Sequence, residues 1–317
     1  MRSFSFNAGV LGELHKRAGV ILALVLLVVV ASFLSDRFLT VPNLMNVLRQ
    51  VSIVGILALG MTFVILTAGI DLSVGSILGL SVVIFAGFVD QTSVPLAIAL
   101  GLGAGVLVGT VNGLGVAYAG IPPFIMTLGT LSFARGLSFI YTGGTPVPIL
   151  DEGFFFIGNG SLLGVPIPSI ILIVSLFVCA AVLTFTPFGR SIYGLGSNED
   201  AARLSGVPVN RYKVAVYAIS GFFAGLAGLV YSSQLSIGTP IAGQGYELDA
   251  IAAVVVGGTS LFGGKGSVFG TFIGTLIIGI LANILNLNGV DPFVQQLFKG
   301  ALIVTAVFIM GRSMRAR

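Results

Sequence analysis

Long uncharged runs are the feature of this sequence that most restricts its fold. Residues 18–35, 51–70 and 72–89 contain no Asp, Glu, Lys or Arg, and each run is mostly apolar. About 20 such residues cross the hydrocarbon core of a bilayer as a helix. Only 8% of the chain is charged, whereas soluble globular domains carry about 25% charged residues. The chain is therefore expected to fold in a membrane, which excludes a cytosolic enzyme, a secreted domain and a disordered chain.

Charges and prolines divide the chain into ten predicted spans. The run 91–134 is split at residues 120–123, GIPP, because proline lacks an amide donor and disfavours helical geometry in the preceding residue. The eighth span is short unless it begins near Tyr246. Backbone groups in hydrocarbon must be bonded within their own segment, so we expect an all-α, polytopic fold. Besides the fourth span, which precedes GIPP, the predicted spans are 18–35, 51–70, 72–89, 124–141, 169–185, 214–231, 250–262, 267–287 and 293–310.

The basic residues predict the orientation of these spans. Cytoplasmic loops of membrane proteins carry an excess of Lys and Arg, and ten spans that start inside place 11 of the 15 basic residues on the cytoplasmic side. Both termini are then cytoplasmic, with a short inner segment at 1–17, and residues 1–317 form one transmembrane domain. The net charge of +4 reports orientation and not nucleic-acid binding. The 11 residues are Arg2, Lys16, Arg17, Arg190, Arg203, Arg211, Lys213, Lys265, Arg312, Arg315 and Arg317.

Glycines recur at every fourth residue in three of the spans. Residues four apart share one face of a helix, and a glycine stripe there lets a second backbone approach closely. We expect these stripes to pack helices within one subunit; an interface between subunits, or one that moves, is the alternative. The glycines are Gly101, Gly105, Gly109, Gly113, Gly221, Gly225, Gly266, Gly270 and Gly274.

A few polar residues within or beside the spans need an explanation, because charge in hydrocarbon is costly. Asp71 and Ser73 lie at a predicted helix break, where they either cap the next helix or serve in gating. Arg135 either lines a water-filled pathway or pairs with a carboxylate in a functional role, or it forms a structural ion pair or is a side chain that snorkels from the end of a shifted helix. Similar structural alternatives hold for Lys299.

Further polar residues stand at the predicted outer ends of spans. Glu247 and Asp249 are either interface charges or contacts for an external binding protein. Asn283, Asn286 and Asn288 either meet a hydroxylated solute on its path or bond their own helix end.

The sequence contains no convincing catalytic or metal-binding set. Its single cysteine, Cys179, lies in an apolar run, and His15 is the only histidine. The string GGTSLFGGKGS at 257–267 fails the phosphate-binding pattern G-x-x-x-x-G-K-[ST] at two positions. If ATP and Mg are used, we expect another subunit to bind them, and this chain is expected to be neither an ATPase nor another enzyme.

The polar interval 186–213 is expected to form a cytoplasmic loop that serves as a handle for an attached motor domain; an ordinary solvated loop is the alternative. Asn198 or Ser197 is placed to cap a short helix, EDAARLSG, which should end at Gly206 before Pro208. A second loop, 142–168, is rich in Gly and Pro and is predicted to lie outside the membrane.

Three long strings together resemble one known family. GMTFVILTAGIDLSVGS, FGRSIYGLGSNEDAARLSGV and GYELDAIAAVVVGGTSLFGGKGS are similar to stretches in the permease subunits of bacterial ribose-type monosaccharide ABC importers. The resemblance implies an inner-membrane homodimer with a fold similar to the cobalamin-importer permease. It also implies a cytoplasmic ATPase with two nucleotide-binding halves and a periplasmic sugar-binding protein that delivers ribose or a related sugar.

In that family the ATPase is contacted by a coupling helix, which the resemblance places here at residues 197–206. The residues expected to contact the ATPase are Glu199, Asp200, Arg203 and Leu204, flanked by Ser197, Asn198, Ser205 and Gly206. Two alternatives remain from the residues themselves. A secondary carrier would need intramembrane carboxylates, of which Asp71 is the only one near a span interior, and an intramembrane enzyme would need a catalytic set.

Overall fold

The computed structural model of the protein describes residues 8–315. The N-terminal part of the predicted inner segment 1–17 and the last two residues of the chain lie outside the described residues. The helices are α1 Ala8–Leu34, α2 Val41–Leu66, α3 Val74–Phe88, α4 Val94–Ala117, α5 Pro123–Thr142, α6 Glu152–Asn159, α7 Ile167–Phe185, α8 Pro187–Ser197, α9 Glu199–Leu204, α10 Val209–Leu235, α11 Tyr246–Val256, α12 Val268–Leu287 and α13 Pro292–Arg315. Four two-residue strands complete the elements: β1 Val147–Pro148, β2 Ser161–Leu162, β3 Val165–Pro166 and β4 Ile237–Gly238.

The chain is all-helical apart from these short strands, as the sequence predicted. Among the described residues, six helices are long and apolar enough to cross a membrane by themselves: α2, α4, α5, α7, α10 and α12. The predicted break at GIPP is confirmed, because α4 ends at Ala117 and α5 begins at Pro123. Helix α2 begins at Val41, ten residues before the second predicted span, so it is longer than its uncharged run and includes the segment NLMNVLRQ.

Burial separates inner from outer helices. The most apolar window of α2 is 78% buried and that of α10 is 61% buried, whereas the corresponding windows of α4 and α5 are 28% and 22% buried. A helix that is apolar on all sides belongs in a core when buried, or against lipid or another chain when not. Helices α2 and α10 therefore form the centre of the bundle, and α4 and α5 present faces to its surroundings.

The glycine stripes pack helices within this chain, as expected. A methyl group on Gly105 or Gly109 would strike the backbone of α10 at the carbonyls of Gly221 and Tyr217, and one on Gly113 would lie 2.6 Å from the Cα of Val214. In the stripe Gly266, Gly270 and Gly274, the two glycines within α12 lie against the end of α11 in the same way. A methyl group on Gly274 would strike the carbonyl of Ala253. Glycine is needed at these positions because backbone meets backbone.

Two of the apolar helices are too short to cross a bilayer. At about 1.5 Å per residue, α3 with 15 residues and α11 with 11 residues reach well under the roughly 30 Å of the hydrocarbon core. Each follows a non-helical stretch, residues 67–73 before α3 and 236–245 before α11. The eighth predicted span begins at Tyr246, as one alternative proposed. The prediction that it continues to residue 262 is wrong, because Gly257 and Gly258 end the helix in a turn.

Several connections meet at one end of the bundle, which we call the handle end. The amide of Gly264 donates to the carbonyl of Leu66 at 3.0 Å, and the Tyr193 hydroxyl donates to the carbonyl of Gly266 at 3.0 Å. The interval 186–213 lies here, but it is not a simple loop. It contains α8, α9 and the first turn of α10. Helix α8 begins at Pro187, and the hydroxyl of Thr186 caps it by accepting the amide of Gly189.

The opposite end contains the predicted outer loop 142–168. This loop holds the helix α6 and pairs back onto the bundle through β1 and β4, in antiparallel register with Val147 opposite Gly238. The Asp90 carboxylate accepts the amides of Leu150 and Asp151 at 3.0 Å each. Connections at the two ends thus alternate along the chain, as expected for helices that cross a membrane repeatedly.

Candidate functional site

The handle helix α9 is capped by one of the two residues named from the sequence. The side chain of Asn198 accepts the amide of Ala201 at 2.9 Å. Ser197 does not cap, because its hydroxyl donates to the carbonyl of Tyr193 at 2.8 Å. The helix ends at Leu204, and Gly206 follows with a φ of 81°, a left-handed conformation that favours glycine.

Glu199 ties α9 to the bundle. Its carboxylate pairs with Arg203 in the same helix at 3.0 Å and with Lys213 of α10 at 2.7 Å. Burial of Glu199 raises its pKa, but the hydrogen bonds and charges of Lys213 and Arg203 outweigh burial, so the pKa lies below its usual value. The sequence gives no sign of the Glu199–Lys213 pair, because a separation of 14 residues carries no helical spacing signal.

The rest of α9 faces outward. None of its residues is buried, and Leu204 is 90% exposed. Asp200 is exposed, and Ser205 closes the last turn by donating its hydroxyl to the carbonyl of Ala201 at 2.8 Å. An apolar tip surrounded by charged side chains is typical of a surface that contacts another protein.

A second group of polar residues lies inside the bundle around Asp71, which is fully buried. Its carboxylate accepts the amide of Ser73 at 3.0 Å, the hydroxyl of Ser73 at 2.5 Å and the hydroxyl of Ser220 at 2.8 Å. Asn112 donates to the Ser73 hydroxyl at 2.8 Å and accepts the Thr130 hydroxyl at 2.6 Å. The polar chain, as we call these five residues, joins the 67–73 stretch to α4, α5 and α10.

The predicted helix break at Asp71 is confirmed, but the predicted capping by Ser73 is wrong. Ser73 is the residue before α3, yet its side chain makes no capping hydrogen bond, because its hydroxyl is engaged with Asp71 and Asn112. The hydroxyl of Tyr217 is also buried nearby and has no hydrogen-bond partner among the described residues. Ser220, Asn112 and Thr130 escaped the sequence analysis, since single polar residues in apolar spans are common.

Arg135 binds backbone and not a paired carboxylate. Its guanidinium donates to the carbonyl of Pro240 at 2.5 Å and to that of Ala242 at 2.7 Å. Lys299, in contrast, forms the expected structural ion pair, with Asp249 at 2.8 Å. Asp249 is only 7% exposed, so its carboxylate acts as the partner of Lys299 inside the bundle. Its contact with an external protein stays a prediction, as does that of Glu247.

The asparagines at the outer end of α12 are bonded within the chain. Asn283 and Asn43 exchange two amide hydrogen bonds at 2.9 and 3.0 Å. Asn286 accepts from Gln295 at 2.7 Å, and Asn288 donates to the carbonyl of Ile284 at 2.8 Å. Of the three, Asn288 bonds its own helix end, whereas Asn283 bonds a residue of α2 and Asn286 a residue of α13. Asn43 was missed because its partner lies 240 residues away. The polar chain, the Asn43–Asn283 pair and the handle helix are three separate groups.

A bundle of apolar helices with an exposed, charged helix at one end fits the class of multi-pass membrane permeases. The family described as "Branched-chain amino acid transport system / permease component" matches residues 43–307. The chain belongs to this family of permease components, and it is therefore a transport subunit of an ABC importer.

Several relatives match over nearly the whole chain. The ribose import permease RbsC of Bacillus subtilis is 48% identical over 297 residues, which cover 93% of this chain and 92% of the relative. RbsC of Escherichia coli K12 is 45% identical, covering 91% and 92%. The L-arabinose permease AraH of Azospirillum brasilense is 38% identical, covering 93% and 87%. No solved structure shows a significant match.

Proposed function

We propose that this permease imports a monosaccharide, ribose or a related sugar, into the cytoplasm. The observation that carries this proposal is the identity of 45–48% with ribose import permeases over about nine-tenths of the chain. Uptake of labelled sugars into vesicles that contain the permease, its ATPase and its binding protein tests it. ATP-dependent uptake of a pentose or hexose is expected, and transport of amino acids alone would contradict the proposal.

The assembly is proposed to follow the resemblance in the sequence. Two copies of this chain form a homodimer in the bacterial inner membrane, and each copy has ten spans, cytoplasmic termini and a fold similar to the cobalamin-importer permease. A separate ATPase with two nucleotide-binding halves binds ATP and Mg, and a periplasmic protein delivers the sugar. The alternating ends of the bundle support this topology, in which α1, α2, α4, α5, α7, α10, α12 and α13 are spans. Helices α3 and α11 are too short by themselves, and each completes a span together with the non-helical stretch before it, residues 67–73 or 236–245.

Residues 197–206 are proposed to form the coupling helix, with Glu199, Asp200, Arg203 and Leu204 against the ATPase. Two observations support this role. The helix has no buried residue of its own. The last turn of α8, which precedes it, packs on the core, because a methyl group on Gly196 would strike the carbonyl of Leu66. Leu66 is the last residue of α2 and directly precedes the 67–73 stretch. A displacement of α9 by the ATPase would therefore be transmitted through few contacts to Asp71 and Ser73. Asp71, Ser73, Arg135, Asn283 and Asn286 remain proposed pathway or gating residues.

Replacement of Glu199 and Arg203 by alanine is expected to uncouple transport from ATP hydrolysis. The double variant removes the ion pairs that hold α9 and two charges from its exposed face. We expect sugar uptake to fall by about tenfold, equivalent to about 1.4 kcal/mol of lost coupling free energy, while membrane insertion stays unchanged. Uptake and ATPase activity are measured on the same vesicles.

Arg190→Ala is the matched control, since Arg190 is an exposed basic residue of α8 at the same end of the bundle. It should keep normal uptake. If both variants lose uptake equally, general surface charge and not the handle helix is responsible, and the coupling assignment fails.

A further inference from the structure

The two short helices begin close to each other inside the bundle. A methyl group on Gly75, in the first turn of α3, would strike the carbonyl of Gly243 and the carboxylate of Glu247. One turn further along, a methyl group on Gly79 would lie 2.8 Å from the carbonyl of Ala242. The start of α3 thus lies in direct backbone contact with the non-helical stretch 236–245 that precedes α11.

This stretch is deep enough to need internal hydrogen-bond donors. Arg135 lies 12 residues after Pro123, so it is about 18 Å along α5 from the start of that helix, and its guanidinium reaches the carbonyls of Pro240 and Ala242. Both carbonyls belong to turns outside any helix. Carbonyls that lack a partner at this depth are costly, and the planar fork of a guanidinium can serve two of them at once.

Arg135 also faces the other short helix. A weaker contact of 3.5 Å joins its second terminal nitrogen to the carbonyl of Gly75. The Glu247 carboxylate lies over the same glycine and is half-buried with a charge opposite to that of Arg135. One side chain of α5 therefore touches both the start of α3 and the stretch before α11.

We infer that Arg135 is a positioning residue that holds residues 236–245 against the start of α3 in the transport-competent state. The inference rests on the proposed transport function and specifies how Arg135 acts there. Arg135 need not contact the sugar. Its hydrogen bonds keep the starts of α3 and α11 in contact, and without Arg135 residues 236–245 detach from α3.

Cysteine labelling of the full complex in vesicles tests this inference. Cys179 is the single cysteine, so Cys179→Ala gives a background for one reporter, Ala242→Cys, at a position that is only 1% exposed. With Arg135 present, the reporter should react slowly with a small maleimide. With Arg135→Gln, labelling should rise at least tenfold and uptake should fall at least tenfold, and Arg135→Lys, which presents one donor group and not a fork, should fall between the two.

Two controls separate positioning from general damage. Lys299→Gln removes the other charged contact of α11 and should leave labelling of Ala242→Cys unchanged. A second reporter, the native Cys179 of α7 in a chain that keeps Ala242, is only 2% exposed and should label equally slowly with and without Arg135. Equal changes at both reporters would mean unfolding, which would overturn the inference.

The remaining outcomes also decide the question. Lost uptake with an unchanged labelling rate at Ala242→Cys would make Arg135 a pathway-lining residue and overturn the positioning role. Unchanged uptake would overturn it as well. Failure of the proposed function is distinguishable, because the complex with Arg135 intact would then show no ATP-dependent sugar uptake, whereas the labelling comparison does not depend on which solute is carried.

Discussion

Asp71→Ala is expected to lower the free energy of unfolding by about 4 kcal/mol. The substitution removes the acceptor of three buried hydrogen bonds, from the amide and hydroxyl of Ser73 and the hydroxyl of Ser220. Each buried donor left without a partner costs about 1–3 kcal/mol. Unfolding of the purified protein by SDS titration measures the loss, and sugar uptake should be abolished because the 67–73 stretch loses its anchor on α10.

Asp90→Ala is the matched control for this prediction. The Asp90 carboxylate also accepts backbone amides, those of Leu150 and Asp151, but it is exposed, so water can replace it and the cost should stay below about 1 kcal/mol. Asp71→Asn keeps one acceptor oxygen and should be intermediate. Equal destabilisation by Asp71→Ala and Asp90→Ala would show that burial of the polar chain is not what makes Asp71 important.

Gly109→Ala is expected to disrupt the crossing of α4 and α10. The added methyl group would strike the carbonyl of Tyr217 and lie 3.1 Å from the Cα of Gly221. Neither atom can move without shifting α10, and overpacking of this kind costs about 1–3 kcal/mol. We expect a clear loss of folded protein in a thermal-stability measurement by size-exclusion chromatography, together with a strong reduction of uptake.

Gly103→Ala provides the comparison on the same helix. A methyl group on Gly103 meets no atom within 4 Å, so the substitution should leave stability unchanged or raise it slightly, because alanine favours helix by about 1 kcal/mol over glycine. If the two alanine variants behave alike, the close approach of α4 and α10 is not required for folding.

Local signals predicted the helices well and their irregular ends less well. The split at GIPP, the cap at Asn198 and the break at Asp71 each depend on one or two residues whose backbone preferences act locally. The extent of the eighth span was wrong because its apolar residues continue to Phe262, although the chain leaves the helix after Val256. Hydropathy reports which residues avoid water, and turns packed inside a bundle avoid it too.

Long-range partners were beyond sequence reasoning for a physical reason. Asp71 and Ser220 are 149 residues apart, and Asn43 and Asn283 are 240 apart, so no periodicity connects them. Arg135 was expected in a pathway or an ion pair, but its observed acceptors are carbonyls, which every residue possesses and which therefore leave no trace in the sequence.

The sequence by itself determined that the chain is a helical membrane protein with a polar handle, because run length, charge spacing and proline positions act within single segments. It also carried the strings that indicate the permease family. Only the tertiary structure decided that α3 and α11 are short, that their starting points meet, and that Asp71 and Arg135 hold the adjoining stretches. Those features depend on which backbones come into contact, and that is settled when the glycine-lined helices pack.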